Sequence, residues 1–273
     1  MLIGVGAQKA GTSWLFRHLA GDPDVYASPI KELHFFDAWL GPRRLAVFDR
    51  RYREKAAQMR RPLPRLAAPR MSRAVIERAE MSEDRAAYLS YFASRVHRER
   101  FLLEVTPGYS LLNERGWSQA RRFLEEAGLA VRPVFLMRDP VDRHFSALRM
   151  EQRKGRIADA GAAFRSSLGW RAHRAHGRYD RALTELWSAF GKDHVAVGFY
   201  EHIFATPERH LRALTDSLGL PWREPDMTQR VNASAAPSTL SAADRAAGVE
   251  AFRKVYDFVN ARFGAEKPAS WSA

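Results

Sequence analysis

The chain has 273 residues, a hydrophobic content of 46% and a formal net charge of +13. This length can bury one substantial core, and no apolar run approaches the roughly 18 residues that a membrane-spanning helix needs. The absence of cysteine excludes disulfides and thiolate metal sites. Because no signal peptide is visible either, we expect residues 1–273 to form a single cytoplasmic domain.

The first predicted element is a strand, Met1 to Val5, which leads directly into the sequence GVGAQKAGTSW and a helix-like stretch. A strand that turns through glycines into a helix directs backbone N–H groups and the positive end of the helix dipole at one point, where phosphate or sulfate binds. Nucleotide triphosphatases place a lysine after the last glycine, in GxxxxGK[ST], whereas here Lys9 precedes Gly11. An ordinary turn with a solvated lysine is the alternative. The residues predicted to form the anion site are Gly6, Gly11, Thr12 and Ser13.

The next segment, KELHFFD, places Glu32 and His34 before two phenylalanines that we expect in the core. Residues 41–84 follow, with many arginines, four prolines and no sustained period. This pattern predicts an insert of loops and short helices beside the site. We hypothesise that the insert shapes the acceptor pocket and that its arginines favour an anionic acceptor, such as an acidic or sulfated glycan. The alternative is a solvated, arginine-rich surface.

Two further apolar stretches are predicted to form central strands. FLLEVTPGYS runs into a proline turn, and the strand from Val131 to Met137 ends in Arg138, Asp139 and Pro140, which open a helix capped by Asp139. Ligands of open α/β sheets collect at the carboxyl ends of strands, so we expect Arg138 at the same edge as the Lys9 loop. Ser146 follows about two helical turns later on the same face. An arginine with a hydroxyl suits a second phosphate, although a strand-end arginine beside its cap is an equal alternative.

The remaining elements continue the alternation of strands and helices. YDRALTELWSAFG predicts an amphipathic helix, DHVAVGFYEHIFATP a strand with a turn, PERHLRALTDSLGL a helix, and AADRAAGVEAFRKVYDFVNARFG one terminal helix. This order favours an α/β fold with a three-layer arrangement, in which a parallel sheet has helices on both faces.

Taken together, KAGTSW and RDPVDRHFS resemble the two cosubstrate-binding motifs of the sulfotransferases that use 3′-phosphoadenosine 5′-phosphosulfate (PAPS). DPDVYASPIKELHFFD is similar to the segment that carries the catalytic carboxylate in the heparan-sulfate and related bacterial branches. FLLEVTPGYS resembles the family's EKTPxY segment, with Val105 in place of the lysine. The resemblance implies a P-loop-like sulfotransferase fold that transfers a sulfuryl group, without a metal, to a hydroxyl or amine of a glycan or small metabolite.

The same resemblance assigns roles by motif position. Arg138 and Ser146 would bind the 3′-phosphate, and Arg230, in a looser C-terminal match, could reach that phosphate or the adenine. Glu32 would be the general base, with His34 as the competing candidate because the cytosolic branch uses a histidine. Lys9 would also be catalytic, since it would stabilise charge on the leaving oxygen. The residues that would bind the 5′-phosphosulfate are Lys9, Ala10, Gly11, Thr12, Ser13 and Trp14.

Two other functions stay open on the sequence. A small-molecule kinase would share the strand, loop and helix but would need GK[ST] and magnesium. A non-catalytic nucleotide-binding or polyanion-binding protein would keep the basic loop without transfer. The positive charge is spread along the chain and only seven of the 44 basic residues are lysine. Because no recognition-helix or zinc-finger motif is present, we predict no nucleic-acid partner, and the oligomeric state is open.

Overall fold

A computed structural model of the chain describes residues 1–59, 69–228 and 240–271. Its strands are β1 (Leu2–Gly6), β2 (Val25–Ala27), β3 (Phe101–Val105), β4 (Arg132–Met137) and β5 (Ala196–Phe199). Its α-helices are α1 (Thr12–Ala20), α2 (Phe35–Leu40), α3 (Val47–Met59), α4 (Pro69–Glu80), α5 (Ala86–Ala93), α6 (Glu114–Glu125), α7 (Pro140–Arg153), α8 (Phe164–Ser167), α9 (Arg171–Ala175), α10 (Tyr179–Phe190), α11 (Tyr200–Ala205), α12 (Pro207–Ser217), α13 (Ala242–Ala251) and α14 (Arg253–Phe263). Short 3₁₀ turns cover Arg43–Ala46, Pro107–Leu111, Lys192–His194 and Gly264–Glu266.

The described strands form one five-stranded sheet in the order β2-β3-β1-β4-β5. The pairs β1 with β3, β2 with β3, and β4 with β5 are parallel, and Leu2 lies opposite Leu103 in the first of them. Parallel neighbours need long crossover connections, which helices supply along this chain. The predicted α/β fold, a parallel sheet flanked by helices, is confirmed. None of the helices in the described ranges is both long and apolar enough to cross a membrane.

The chain divides into two compact units. The first comprises Met1–Val5, Leu15–Pro133 and Glu185–Val195, and the second comprises Gly6–Trp14, Val134–Thr184 and Ala196–Ala273. An aromatic cluster forms much of the core of the first unit, where Phe35 stacks on Tyr88 at a centroid distance of 4.3 Å. Phe35 and Phe36 are both buried, as their sequence context predicts.

The core of the second unit surrounds the start of α7. Asp139 caps this helix as predicted, because its carboxylate accepts hydrogen bonds from the N–H groups of Val141 and Asp142. The hydroxyl of Tyr256, on α14, donates to the same carboxylate at 2.8 Å. Burial raises the pKa of Asp139 from its ordinary value, although these hydrogen bonds partly offset the effect. The last helix is thus tied to the RDP sequence that precedes α7.

Two sequence predictions about local structure are wrong. The segment YEHIFA, predicted as part of a strand and turn, forms α11. The predicted single terminal helix is interrupted at Phe252, whose φ of −105° and ψ of 13° leave the helical range while its side chain is buried. The insert, predicted to contain loops and short helices, has two helices of 13 and 12 residues, α3 and α4. Short helices are marginal alone and depend on tertiary packing, which the local pattern does not reveal.

Candidate functional site

The turn between β1 and α1 belongs to the second unit and has the left-handed backbone that an anion loop needs. Gly11 has a φ of +84°, and a Cβ at this position would lie 3.0 Å from the ring of Tyr200. Glycine is therefore required both for the dihedral angle and for the close approach. Lys9 has a φ of +72° although it carries a side chain. Such backbone costs free energy and is concentrated at functional sites.

Arg138, at the end of β4, lies against this turn. Its guanidinium donates to the backbone carbonyl of Lys9 at 3.4 Å and sits over the ring of Tyr200 at 4.7 Å. The backbone carbonyl of Arg138 accepts a hydrogen bond from the hydroxyl of Tyr179 at 2.8 Å. The structure thus brings Arg138 to the Lys9 turn, as expected for two segments that follow neighbouring strands.

The other predicted cosubstrate residues lie around the same turn or on α7. Ala10, Thr12 and Trp14 are buried, while Ser13 and Ser146 are partly exposed. Trp14 packs on Phe204 with ring centroids 4.8 Å apart, so an aromatic surface adjoins the turn. Arg230 lies outside the described residues.

The Lys9 ammonium lies in strongly positive surroundings. Burial lowers its pKa, and the charges of Arg153, Arg138, Lys154 and Arg143 lower it further, to about 8. Among the described residues no carboxylate pairs with Lys9. Because cations repel one another, this set is stabilised by an anion with several charges. The donor set fits a nucleotide that carries a phosphosulfate and a second phosphate.

Arg143 is a cation of this region that the sequence reading overlooked. Its side chain is fully buried on α7, and one nitrogen donates to the carbonyl of His173 at 3.0 Å. Its Nε and Nη1 atoms have no hydrogen-bond partner in the part of the chain that the structure describes. Its place between Arg138 and Ser146 in RDPVDRHFS was the signal that could have identified it.

Glu32, His34 and Asp37 form a hydrogen-bonded group in the first unit. His34 Nδ1 lies 2.7 Å from Asp37 Oδ2, and His34 Nε2 lies 3.5 Å from Glu32 Oε2. Lys31 Nζ donates to the other oxygen of Glu32 at 2.7 Å. His34 has a φ of +53°, and it and Lys9 are the non-glycine residues with positive φ among those described. The two strained positions are both predicted catalytic residues.

The pKa values of Glu32 and His34 move in opposite directions. Burial alone would lower the pKa of His34, but its hydrogen bonds to Asp37 and Glu32 outweigh burial and raise it to about 9. Burial alone would raise the pKa of Glu32, but hydrogen bonds with His34 and Lys31 lower it to about 2. At neutral pH the group therefore holds a carboxylate at Glu32 and an imidazolium at His34.

A buried network behind α2 fixes the backbone of this group. Thr106 Oγ1 accepts from the N–H of His34 at 3.4 Å, and the hydroxyl of Tyr109 accepts from the N–H of Phe35 at 3.1 Å. Thr106 and Tyr109 both donate their hydroxyls to the carboxylate of Glu104, which is fully buried. The hydroxyls of Thr106 and Tyr109 thus form their hydrogen bonds within the first unit, and the Glu104 carboxylate accepts from both of them.

Helices α3 and α4 of the insert also contact the segment that carries Glu32 and His34. Arg78, buried on α4, donates to the carbonyl of His34 and to Asp49 on α3, each at 2.7 Å. The hydroxyl of Tyr52 donates to the carbonyl of Glu32 at 2.9 Å. The ring of Phe48 stacks on the imidazole of His34 with centroids 3.5 Å apart. The insert therefore contacts the predicted base directly.

A cavity of about 300 Å³ opens beside this group in the first unit. Its walls are formed by the segment that carries Glu32 and His34 and by α3. The lining residues are Glu32, His34, Phe48, Arg51, Tyr52 and Lys55. Within the described ranges, no three His, Asp or Glu side chains cluster in a way that could hold a metal ion.

Comparison with known proteins identifies relatives over nearly the whole chain. The family model described as "Sulfotransferase family" matches residues 2–224. A sulfotransferase from Alicyclobacillus acidocaldarius has a similar crystal structure, with 22% identity, a TM-score of 0.70, and coverage of 99% of this chain and 97% of the other. The sulfotransferase domain of the Synechococcus PCC 7002 olefin synthase is 16% identical, with a TM-score of 0.50 and coverage of 93% and 94%. Both comparisons show similarity of fold. No curated protein matches the chain significantly.

Proposed function

This chain belongs to the sulfotransferase family, and we propose that it transfers a sulfuryl group from PAPS to the hydroxyl of a glycan or small-molecule acceptor. Membership of this family supports sulfuryl transfer as the general reaction. The choice of PAPS as donor rests on the environment of Lys9, because a partly buried ammonium among several cations suits the phosphosulfate and second phosphate of PAPS. The position of Lys9 before Gly11 also differs from the arrangement of triphosphate-binding loops.

In this proposal, Lys9 stabilises the transition state. When PAPS is bound, it supplies the sulfuryl group, and negative charge grows on the oxygen that leaves the sulfur. Lys9 donates to that oxygen, while the N–H groups of the turn at Gly11, Thr12 and Ser13 hold the phosphosulfate. Such a donor is worth about 3 to 4 kcal/mol of the activation barrier in related oxyanion sites.

Arg138 and Ser146 are proposed to bind the 3′-phosphate, and Arg230 is proposed to contribute from the C-terminal segment. An arginine presents a planar pair of donors to a phosphate, and the contact of Arg138 with the Lys9 carbonyl fixes its orientation. Trp14, with its buried ring against Phe204, offers an apolar surface beside the turn. These contacts would set the geometry of transfer.

We propose Glu32 as the general base. It is ionised at neutral pH, whereas His34, with a pKa raised to about 9, is protonated and has no free lone pair to accept a proton. His34 would then orient the Glu32 carboxylate, and Asp37 would hold the imidazolium. Glu32→Gln should therefore lower turnover more than His34→Ala does.

The test is transfer of label from [³⁵S]PAPS to a set of hydroxyl and amine acceptors, with mass detection of the product. We expect labelled product with the wild type and transfer that is slower by about 100-fold or more with Lys9→Ala. Turnover of ATP that EDTA abolishes would instead identify a kinase. Tight binding of adenosine 3′,5′-bisphosphate with no transfer to any acceptor would instead identify a non-catalytic nucleotide-binding protein.

A further inference from the structure

Helix α3 presents one continuous face to the cavity beside Glu32. Phe48, Arg51, Tyr52 and Lys55 occupy positions i, i+3, i+4 and i+7, which share one side of a helix. All four line the cavity. Arg53, between them in sequence, is also exposed but is not among the lining residues. The insert thus contributes an aromatic and a cationic wall.

The two cations of this face have no counterion in the described part of the chain. Arg51 and Lys55 form no ion pair there, whereas the neighbouring Arg50 lies 3.7 Å from Glu54. The carboxylate that lines the cavity, Glu32, is already engaged by Lys31 and His34. Arg51 also lies over the ring of Phe48 at 5.5 Å, which restrains its guanidinium. Arg51 and Lys55 therefore contribute positive charge without a paired carboxylate to the lining of the cavity.

The volume of the cavity limits what it can take. About 300 Å³ is the lower end of the range for small-molecule sites. The stacked rings of Phe48 and His34 provide a flat wall, and Tyr52 adds a second aromatic side chain. A single sugar or aromatic ring matches this volume and these walls.

We propose that this cavity binds a compact, ring-sized acceptor that carries the reacting hydroxyl on one side and an anionic group, such as a carboxylate, on the other. Arg51 and Lys55 bind the anionic group, and the hydroxyl lies toward Glu32 and His34. The inference rests on the proposed function, since it assigns the acceptor of that same reaction. It restricts the acceptor to anionic molecules of about the size of one ring.

The reaction leaves Arg51 and Lys55 unchanged. The acceptor O–H gives its proton to the Glu32 carboxylate, and the oxygen forms a bond to the sulfur of PAPS. The bond between that sulfur and the bridging phosphate oxygen breaks, and its electron pair leaves with adenosine 3′,5′-bisphosphate. The two cations act on binding and orientation alone, so they should change KM more than kcat.

Matched acceptors test the anionic group on two scaffolds. The sugar pair is 4-nitrophenyl β-D-glucuronide and 4-nitrophenyl β-D-glucoside, which differ at C6, where the first has a carboxylate and the second a hydroxymethyl group. The phenol pair is 4-hydroxybenzoate and its methyl ester. We expect kcat/KM at least tenfold higher for the charged member of one pair, and the pair that shows it distinguishes a sugar from a phenol. This preference should weaken as salt is raised.

Variants then assign the preference to the two cations. Arg51→Ala/Lys55→Ala should raise KM for the charged acceptor at least tenfold and leave the neutral one within about twofold. Arg53→Ala, an equally exposed arginine of α3, is the matched control and should change neither. If the double alanine variant folds poorly, Arg51→Gln/Lys55→Gln replaces it. Equal rates for charged and neutral acceptors, or a preference that survives the double substitution, would overturn the inference and leave the proposed function intact.

Equilibrium binding separates failure of the inference from failure of the proposed function. Calorimetry with 4-nitrophenyl β-D-glucuronide and 4-hydroxybenzoate requires no PAPS. If no acceptor is sulfated but the wild type binds a charged probe and the double variant does not, the anionic site stands and transfer is refuted. If neither charged probe binds the wild type, the inference is wrong whatever the transfer assay shows.

Discussion

His34 and Asp37 lie three residues apart, with His34 Nδ1 2.7 Å from Asp37 Oδ2. The carboxylate of Asp37 is fully buried, and the backbone of His34 is left-handed, so the ring is directed at the carboxylate by its own strained main chain. The contact with Asp37 helps to raise the pKa of His34 against the effect of burial.

Asp37→Asn should lower the pKa of His34 from about 9 by one unit or more, because it removes the nearest negative charge. Turnover should fall about tenfold or more as Glu32 loses its oriented partner. NMR titration of the His34 ring measures the pKa. The control is Asp22→Asn, a buried aspartate elsewhere in the first unit. An unchanged pKa in Asp37→Asn would contradict the assigned role of the pair.

The same pair should make stability depend on pH. His34 has a higher pKa when folded than its ordinary value of 6.5, so its contribution is fully present below pH 6.5 and is lost as pH rises through about 9. The free energy of unfolding of the wild type should therefore decline across this range. In Asp37→Asn the decline should be smaller, as urea titrations at several pH values would show.

Lys9→Ala should reduce kcat about 100-fold or more, because the leaving oxygen loses its charged donor. Single-turnover transfer from labelled PAPS measures this effect. Lys254→Ala, at an exposed lysine of α14, should keep wild-type turnover. Wild-type rates in Lys9→Ala would refute the catalytic role of this lysine.

Affinity for adenosine 3′,5′-bisphosphate should weaken as pH rises through about 8. Burial and, after it, the surrounding cations lower the pKa of Lys9 to that value, so the free protein loses the ammonium there, and binding above pH 8 requires proton uptake. The loss should approach tenfold per pH unit, and calorimetry from pH 6.5 to 9.5 can follow it. Lys9→Arg should flatten the profile since arginine stays charged. An identical slope in this variant would show that another group titrates.

Tyr256→Phe should destabilise the protein by about 1 to 2 kcal/mol, because the buried Asp139 carboxylate loses a donor at 2.8 Å. Bisphosphate affinity should also fall severalfold, since Asp139 caps the helix that carries Ser146. Urea unfolding gives the first value and calorimetry the second. Tyr26→Phe, which removes a partly exposed hydroxyl, should change stability by less than about 0.5 kcal/mol.

Glu104→Gln should remove a decline in the free energy of unfolding that the wild type shows as pH rises from 4.5 to about 6. Burial raises the pKa of Glu104 to about 6, which its hydroxyl donors only partly oppose. The folded state then binds this proton more tightly than the unfolded state, so the wild type loses stability as pH rises from 4.5 through 6. Glu104→Gln should lack this decline, whereas Glu126→Gln, at an exposed position, should retain it.

Much of the fold and part of the site could be predicted from sequence because their signals are local. The alternation of apolar strands with amphipathic helices predicted the parallel sheet, and the placement of Lys9 before Gly11, together with RDPVDRHFS, indicated the family. The same motifs named Arg138, which lies at the Lys9 turn. Asp139 could be identified as a cap because caps depend on neighbouring residues.

Other features depend on contacts between residues that are distant in sequence, so they are visible in the folded protein and could not be predicted from the sequence. Arg78 binds the carbonyl of His34 across 44 positions, and Tyr256 binds Asp139 across 117. No local period indicates such contacts, which explains why the bounds and packing of the insert helices could not be predicted.

The motifs identified the reactive groups of the candidate site, because a motif specifies residue type and spacing. The ionisation of those groups was decided by the tertiary structure, since burial and neighbouring charges shift Glu32, His34 and Lys9 away from their ordinary pKa values. The cationic wall of α3 likewise exists only because the fold places one face of that helix beside Glu32.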